Sequence, residues 1–238
     1  MMQRRSSIVP PGLAGLALTL LLAAGGPAAA QQSTTLVYVP PDLGAPPTRT
    51  LAAVRGLGEA PVSQVLASEQ TGLTRAAQPT LFWYLGGPTE LPVVLTLIDE
   101  QGVEPLLEVD LGRVAEPGLH AVDLAAYDVQ LEPGRVYQWS IAQVVDPDQR
   151  SADIVTSGTL ERRPPDAELD AALDGADPAA RLAALARHGY WYDLLAELEA
   201  QIAAGGEAGA LRALRGELLA QVKLADIAAA VASAPLVQ

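Results

Sequence analysis

Through the middle of the chain, short apolar runs alternate with turn residues at the intervals typical of antiparallel strands. The alternation is clearest where Leu107, Val109 and Leu111 share one face of a predicted strand. Glu108 and Asp110 share the opposite face, as expected when one side packs and the other meets water. The predicted strands span residues 80–85, 93–98, 103–111, 118–124, 135–145 and 152–160.

A Pro-Gly turn that leads into an aromatic strand is the most specific local feature of this region. The turn at residues 133–134 precedes Tyr137, and the arrangement resembles the tyrosine corner of immunoglobulin-like and fibronectin type III-like sandwiches. In that motif the phenol hydroxyl bonds to upstream backbone while the ring packs inside. Tyr137, Trp139 and Ile141 lie two residues apart, so they share a face and fill the core. The pattern predicts an antiparallel immunoglobulin/fibronectin-like β-sandwich over residues 76–163, with Trp139 in its core rather than on a ligand platform.

After the strand region, alanine and leucine dominate, and apolar residues recur at spacings of three and four, which is the period of an amphipathic helix. An Asp-Pro pair at residues 177–178 predicts a helix start, and Gly189 is placed to end that helix. A second helix is predicted over residues 190–203, and a third begins near Ala208. The fold class is therefore α+β, with a helix hairpin and a third helix forming a small C-terminal helical subdomain over residues 164–238.

The first thirty residues have the three parts of a cleavable export signal. Arg4 and Arg5 form a basic start, an apolar run follows over residues 13–24, and alanines occupy residues 28–30. The apolar run is shorter than the roughly 20 residues that span a membrane, so no stable membrane insertion is expected after cleavage. Residues 1–30 are predicted to be a signal peptide, and general secretion is favoured over the twin-arginine route.

Proline content separates the next segment from the folded part of the chain. Four prolines between residues 40 and 50 remove amide donors and favour an extended backbone. We predict a flexible Pro-rich leader and loop over residues 31–75, with a short turn or strand between residues 51 and 74. The mature protein then starts near Gln31 and works in the periplasm or outside the cell.

Charge and cysteine content exclude several classes of function. The chain has 15 basic and 28 acidic residues and a net charge of −13, which disfavours nucleic acid and anionic lipid as partners. It has no cysteine, so it has no disulfide, lipidated cysteine, thiol nucleophile or cysteine-ligated metal. Its acidity is also typical of a protein that is merely soluble.

Few residues are suited to catalysis. The two histidines, His120 and His188, fall in a predicted strand and at a predicted helix end, where structural roles are favoured. The sequence contains no Gly-x-Ser-x-Gly, no His-Glu-x-x-His and no phosphate-binding loop. We therefore predict no catalytic residue, no cofactor and no metal, and a protein that is not an enzyme. A hydrolase built on paired carboxylates is the enzymatic alternative.

A polar turn between two predicted strands is the first candidate contact for a partner or ligand. Asp146, Asp148 and Arg150 are its charged residues. Two carboxylates this close are compatible with part of a calcium site, but a turn stabilised by Asp and Pro explains them more simply. In that interpretation Arg150 pairs with one of the two aspartates.

An aromatic triplet at the start of the second predicted helix is the other candidate contact. Tyr190 and Tyr192 flank Trp191, and consecutive helix positions cannot all face one core. Trp191 fits the apolar stripe of the helix. One of the two tyrosines is therefore expected to reach the sandwich or, as the less favoured alternative, an external partner.

Five motifs stand out along the mature chain, at residues 72–74, 79–84, 131–139, 146–151 and 188–193. Their order and spacing resemble a bacterial family known as domain of unknown function 928, which is typical of exported proteins. Many members carry a cysteine just before the Asp-Pro turn, where this chain has Val145, so a disulfide implied by the resemblance is absent. The resemblance implies export and a sandwich with helices, and it supplies no activity and no catalytic residue.

These features favour a noncatalytic interaction or scaffold module of the cell envelope, with an envelope protein as its partner. The alternative is a module that binds a glycan or another small envelope ligand along the sandwich or its loops. That alternative depends on exposed aromatic residues, and it loses its best support if Trp83 and Trp139 are buried and no groove lies beside residues 146–150.

Overall fold

Eight strands and five helices make up the part of the chain that the computed structural model describes, namely residues 36–41, 49, 60–205 and 207–237. The predicted signal peptide and about half of the predicted leader and loop, namely residues 31–35, 42–48 and 50–59, lie outside these residues. The strands are β1 Ser63–Val65, β2 Gly72–Thr74, β3 Thr80–Leu85, β4 Pro92–Asp99, β5 Leu107–Arg113, β6 Gly118–Asp123, β7 Val136–Gln143 and β8 Ile154–Arg162. The helices are α1 Ala167–Leu173, α2 Pro178–Arg187, α3 Trp191–Ala203, α4 Ala208–Gln221 and α5 Ala225–Ser233.

The strands form two sheets. One has the order β1-β3-β6, and the other has the order β2-β8-β7-β4-β5. The pairs are antiparallel except for β2 and β8, which run parallel. The parallel pair corrects the expectation of a wholly antiparallel arrangement, and it arises because β2 comes from the segment ahead of the predicted sheet region.

The six predicted strands are present, and most of their ends shift by only a few residues. The largest shift is in β5, which begins at Leu107 rather than at Val103. Pro105 lies in the intervening stretch, and a proline cannot donate a hydrogen bond to a strand ladder. Strands β1 and β2 lie inside the segment for which the sequence predicted leader and loop.

Both sheets contribute to one buried core. Trp83 from β3 and Trp139 from β7 are 1% and 0% exposed, as predicted for core residues. Tyr137 is also buried, and its hydroxyl accepts a hydrogen bond from the backbone N–H of Glu132 at 2.8 Å. This return contact to upstream backbone is the one that the Pro-Gly turn predicted.

The helices follow the predicted signals where those signals were strong. The side chain of Asp177 caps α2 by accepting a hydrogen bond from the N–H of Ala180, and Pro178 is the first residue of that helix. Helix α1 was not predicted, and the third predicted helix is two helices. The chain turns between α4 and α5 at Lys223, which has a positive φ of 59°. No helix among the described residues is both long and apolar enough to cross a membrane.

Candidate functional site

Helix α3 meets both sheets through its first two side chains. The indole of Trp191 donates to the backbone oxygen of Leu66 at 2.7 Å. The hydroxyl of Tyr192 donates to the backbone oxygen of Thr159 at 2.9 Å and accepts from the indole of Trp139 at 3.0 Å. This junction is possible because β2 approaches the helix closely: a Cβ added at Gly72 would lie 2.9 Å from the Tyr192 ring.

Burial decides what the two flanking tyrosines do. Tyr190 is 3% exposed and Tyr192 is 1% exposed, so neither side chain lies on the surface. Tyr192 makes the predicted contact with the sheet. Burial raises the pKa of the Tyr192 hydroxyl above its ordinary value, so the hydroxyl stays protonated and can donate to Thr159.

We expect Tyr192→Phe to destabilise the protein by about 1–3 kcal/mol, because the buried indole N–H of Trp139 loses its acceptor and the backbone oxygen of Thr159 loses a donor. Urea unfolding followed by tryptophan fluorescence measures the change. Tyr127→Phe is the matched control, since Tyr127 is 38% exposed. An equal effect of the two substitutions would contradict the role assigned to the buried hydroxyl.

An acid in the first turn of α3 ties this helix to the end of β2. The carboxylate of Asp193 accepts from the backbone N–H of Arg75 at 3.1 Å, and it also bonds the side chain of Thr74. Arg75 in turn forms an ion pair with Asp170 on α1. Burial raises the pKa of Asp193 to about 6, and the hydrogen bonds from Arg75 and Thr74 oppose that shift.

The raised pKa of Asp193 predicts a pH dependence of stability. The folded protein holds the Asp193 proton more tightly than the unfolded chain does, so the stability from this group is greatest at acidic pH and falls as the pH rises through about 6. Asp193→Asn should remove this loss, which is on the order of 1–3 kcal/mol. Urea unfolding at a series of pH values between about 4 and 8 measures it. The exposed Asp148→Asn is the control, and an unchanged pH profile in Asp193→Asn would refute the assignment.

An extended segment at residues 36–41, called the strap below, crosses the helices near this junction. Tyr38 is its one fully buried side chain, at 5% exposed, and its ring meets that of Trp191 edge to face at a centroid distance of 4.9 Å. The Tyr38 hydroxyl donates to the backbone oxygen of Gly189 at 3.3 Å. The sequence did not indicate a structural role for this residue, because Tyr38 lies in the predicted leader. The short apolar run from Leu36 to Val39 was the available signal.

The strap is also held through its backbone. The N–H of Val39 donates to the backbone oxygen of Ala186 at 3.0 Å. The side-chain amide of Gln221 makes two bonds, accepting from the N–H of Tyr38 at 2.9 Å and donating to the backbone oxygen of Leu36 at 2.8 Å. A cavity of about 80 Å³ lies beside the strap, against Pro40 and Gln221. Ligand pockets are typically about 300–1,000 Å³, so this cavity is too small for a drug-sized ligand.

The polar turn at Asp146, Asp148 and Arg150 is exposed and closed by its own residues. A side-chain oxygen of Asp146 accepts from the N–H of Asp148 at 3.0 Å, which is the predicted turn stabilised by Asp. Arg150 pairs at 2.6 Å with Asp153, not with either predicted aspartate. The buried carboxylate of Asp153 also accepts from the N–H of Val145, which fixes it as the partner. Among the described residues, no group of His, Asp or Glu is arranged to hold a metal ion.

Both histidines have structural surroundings. His120 stacks on Trp83 at a centroid distance of 4.5 Å, and one of its ring nitrogens contacts the backbone oxygen of Glu116. Burial lowers the pKa of His120, which favours its neutral form. His188 follows the last residue of α2, where its backbone N–H bonds the oxygen of Ala184. These placements agree with the roles favoured by the sequence.

The comparison with known families identifies this chain as a member of a family. The model of a domain of unknown function, DUF928, matches residues 48–232, which is most of the chain. The chain therefore belongs to this family. Among curated proteins, none matches it in sequence. The matched region contains both sheets, helices α1 to α4, all but the last residue of α5, and the groups that hold the strap. The strap itself precedes the matched region.

Proposed function

We propose that this chain is an exported, noncatalytic interaction module of the cell envelope. The observation that carries the proposal is the strap, an extended segment held against the helices by backbone hydrogen bonds and one buried tyrosine. A surface that holds an extended segment in this way has the elements of peptide recognition, namely main-chain bonds together with a side-chain pocket. Export rests on the sequence of residues 1–30.

The scaffold of this module is, in the same proposal, an immunoglobulin- or fibronectin-like sandwich with a helical C-terminal part. Two features support it: the two sheets share one core, and the Tyr137 hydroxyl bonds the upstream backbone at Glu132. Such scaffolds host many unrelated functions, so the binding role is inferred from the strap and not from the fold.

The polar and aromatic side chains of the junction are used to fasten helices to sheets, which favours a binding role over a chemical one. Tyr192 and Trp139 bond each other, and Asp193 bonds the backbone of Arg75. Glycan binding depended on exposure of Trp83 and Trp139, and both are buried. That alternative therefore has no support from the positions of these two residues.

Photocrosslinking in intact cells of the source organism tests the proposal. A photoreactive residue is placed in turn at three exposed positions, Val37, Val103 and Asp148, and the crosslinked chain is purified for mass spectrometry. The expected result is one envelope protein recovered reproducibly from one position and not from the other two. Recovery of the chain alone from all three positions would refute the interaction function.

A further inference from the structure

The surface under the strap, called the strap groove, is built from the ends of three helices. Ala186 lies in the last turn of α2, Gly189 follows that helix, Trp191 opens α3 and Gln221 closes α4. Gly189 has a φ of +77°, and an added Cβ would lie 3.0 Å from both the backbone oxygen of Val39 and the ring of Pro41. The groove therefore requires a glycine at its floor, both for the turn and for the close approach of a second backbone.

The strap occupies this groove as a bound peptide would. Only one side chain, that of Tyr38, is fully buried, while Val37 and Val39 are 59% and 48% exposed. The hydrogen bonds to the strap involve its backbone, so they select for an extended conformation and not for a particular sequence. Selectivity among sequences therefore comes mostly from the pocket for the tyrosine.

The groove and its occupant belong to different parts of the chain. The residues that form the groove lie inside the family match at 48–232, and the strap lies before it. The region that the family model matches thus contains a receptor surface that is filled here by a segment that precedes the match. Residues 31–41 carry no charge, so the attraction between groove and strap owes nothing to the net charge of −13.

We propose that the strap groove is a peptide-binding site for a partner protein. It recognises an extended, uncharged segment with a tyrosine between aliphatic residues, and residues 36–41 fill it in cis until such a segment displaces them. This inference rests on the proposed interaction function and names the class of partner. Because the strap is tethered, its effective concentration at the groove is on the order of millimolar, and a partner must compete against it.

The test uses the mature chain from Gln31 and a fluorescein-labelled peptide with the sequence of residues 35–41. Tyr38→Ala empties the pocket of its cis occupant, so the peptide should bind this variant about tenfold or more tightly than the unmodified chain. Adding Gln221→Ala removes two main-chain bonds and should weaken peptide binding about tenfold. Gln101→Ala, at an exposed glutamine on the β4–β5 loop, is the matched control and should change nothing.

Two further measurements identify the mode of recognition. A peptide with alanine in place of its tyrosine should fail to bind, because the pocket then gains no ring. Affinity should change little between about 50 and 500 mM salt, since the bound segment is uncharged. A steep loss of affinity with salt would overturn the proposed chemistry of the segment.

Val39→Pro is a second variant that frees the groove, and it replaces Tyr38→Ala in the test if Tyr38→Ala does not fold. It removes the N–H that bonds Ala186 while changing an exposed side chain, so it loosens the strap and leaves the pocket intact.

Absence of peptide binding to a folded variant of either kind overturns the proposal. The proposal would also be overturned if the unmodified chain formed concentration-dependent dimers that disappear with Tyr38→Ala. The groove would then bind the strap of a second copy of this chain and not a partner protein. If photocrosslinking captures a partner but the peptide does not bind, the strap groove is not the partner's binding site. The proposed interaction function would still hold in that case.

Discussion

Arg215→Met is expected to destabilise the protein by about 3–5 kcal/mol, because it leaves a buried carboxylate without its partner. Arg215 is 0% exposed, and its guanidinium donates to the carboxylate of Glu199 on α3 at 2.7 Å. The same guanidinium donates to the backbone oxygens of Val231 and Ala234 at 2.5 and 2.7 Å. One side chain thus joins α3, α4 and the end of α5.

Urea unfolding measures this loss, and a double substitution shows its origin. Replacing Arg215 by Met and Glu199 by Leu together removes both charges, and buried pairs exchanged for apolar residues of similar volume are often neutral in stability. We expect the double variant to regain most of the lost stability. Arg212→Met, on the same helix but only partly buried, is the control and should have a small effect. A double variant as unstable as Arg215→Met alone would contradict the account.

The sequence predicted elements well where local signals agreed with tertiary structure. Strand β3 has the predicted ends, because Thr80–Leu85 is a compact apolar and aromatic run that also lies at the centre of its sheet. Helix α2 begins at Pro178, because the Asp cap and the proline act within the first turn itself. The tyrosine contact at Glu132 spans only five residues and was likewise predictable.

The remaining parts depend on contacts between residues far apart in the chain. β1 and β2 have three residues each, too few for a period to be recognised, and they form because β3 and β8 provide neighbours. The strap has the composition of a leader, yet the Tyr38 hydroxyl bonds Gly189, which lies 151 residues further along the chain. The pairing of Arg150 is a local exception, because Asp153 lies three residues further along the chain. Arg150 pairs with Asp153 rather than with Asp146 or Asp148 because the Asp153 carboxylate is already fixed by the N–H of Val145.

Arginines close the ends of the last two helices. Arg49 donates to the backbone oxygens of Val222 and Lys223 at 2.7 and 3.0 Å, at the end of α4. Arg215 does the same for α5 through Val231 and Ala234. The carbonyls at the end of a helix lack donors within that helix and carry partial negative charge. A guanidinium supplies both hydrogen-bond donors and a positive charge. The end of α4, which contributes Gln221 to the strap groove, is thereby held by a residue distant in the chain.

Trp191→Ala is the second substitution with a large expected effect, a loss of about 3–5 kcal/mol, because it empties a fully buried site at the helix–sheet junction. It also removes the donor to the backbone oxygen of Leu66 and the ring against which Tyr38 packs. Stability and strap docking should therefore fall together. Urea unfolding measures the first, and peptide binding to the strap groove, with Tyr38→Ala in the same chain, measures the second.

The indole hydrogen bond can be separated from the packing of the ring by comparing two tryptophans. Trp191→Phe leaves the oxygen of Leu66 without this donor, whereas the indole N–H of Trp83 has no acceptor among the described residues, so Trp83→Phe breaks no such bond. Both substitutions shrink a buried ring by a similar volume. Trp191→Phe should therefore cost about 1 kcal/mol more than Trp83→Phe. Equal losses would mean that Trp191 holds α3 to the sheets by packing alone, and the Leu66 contact would then have no part in positioning the groove.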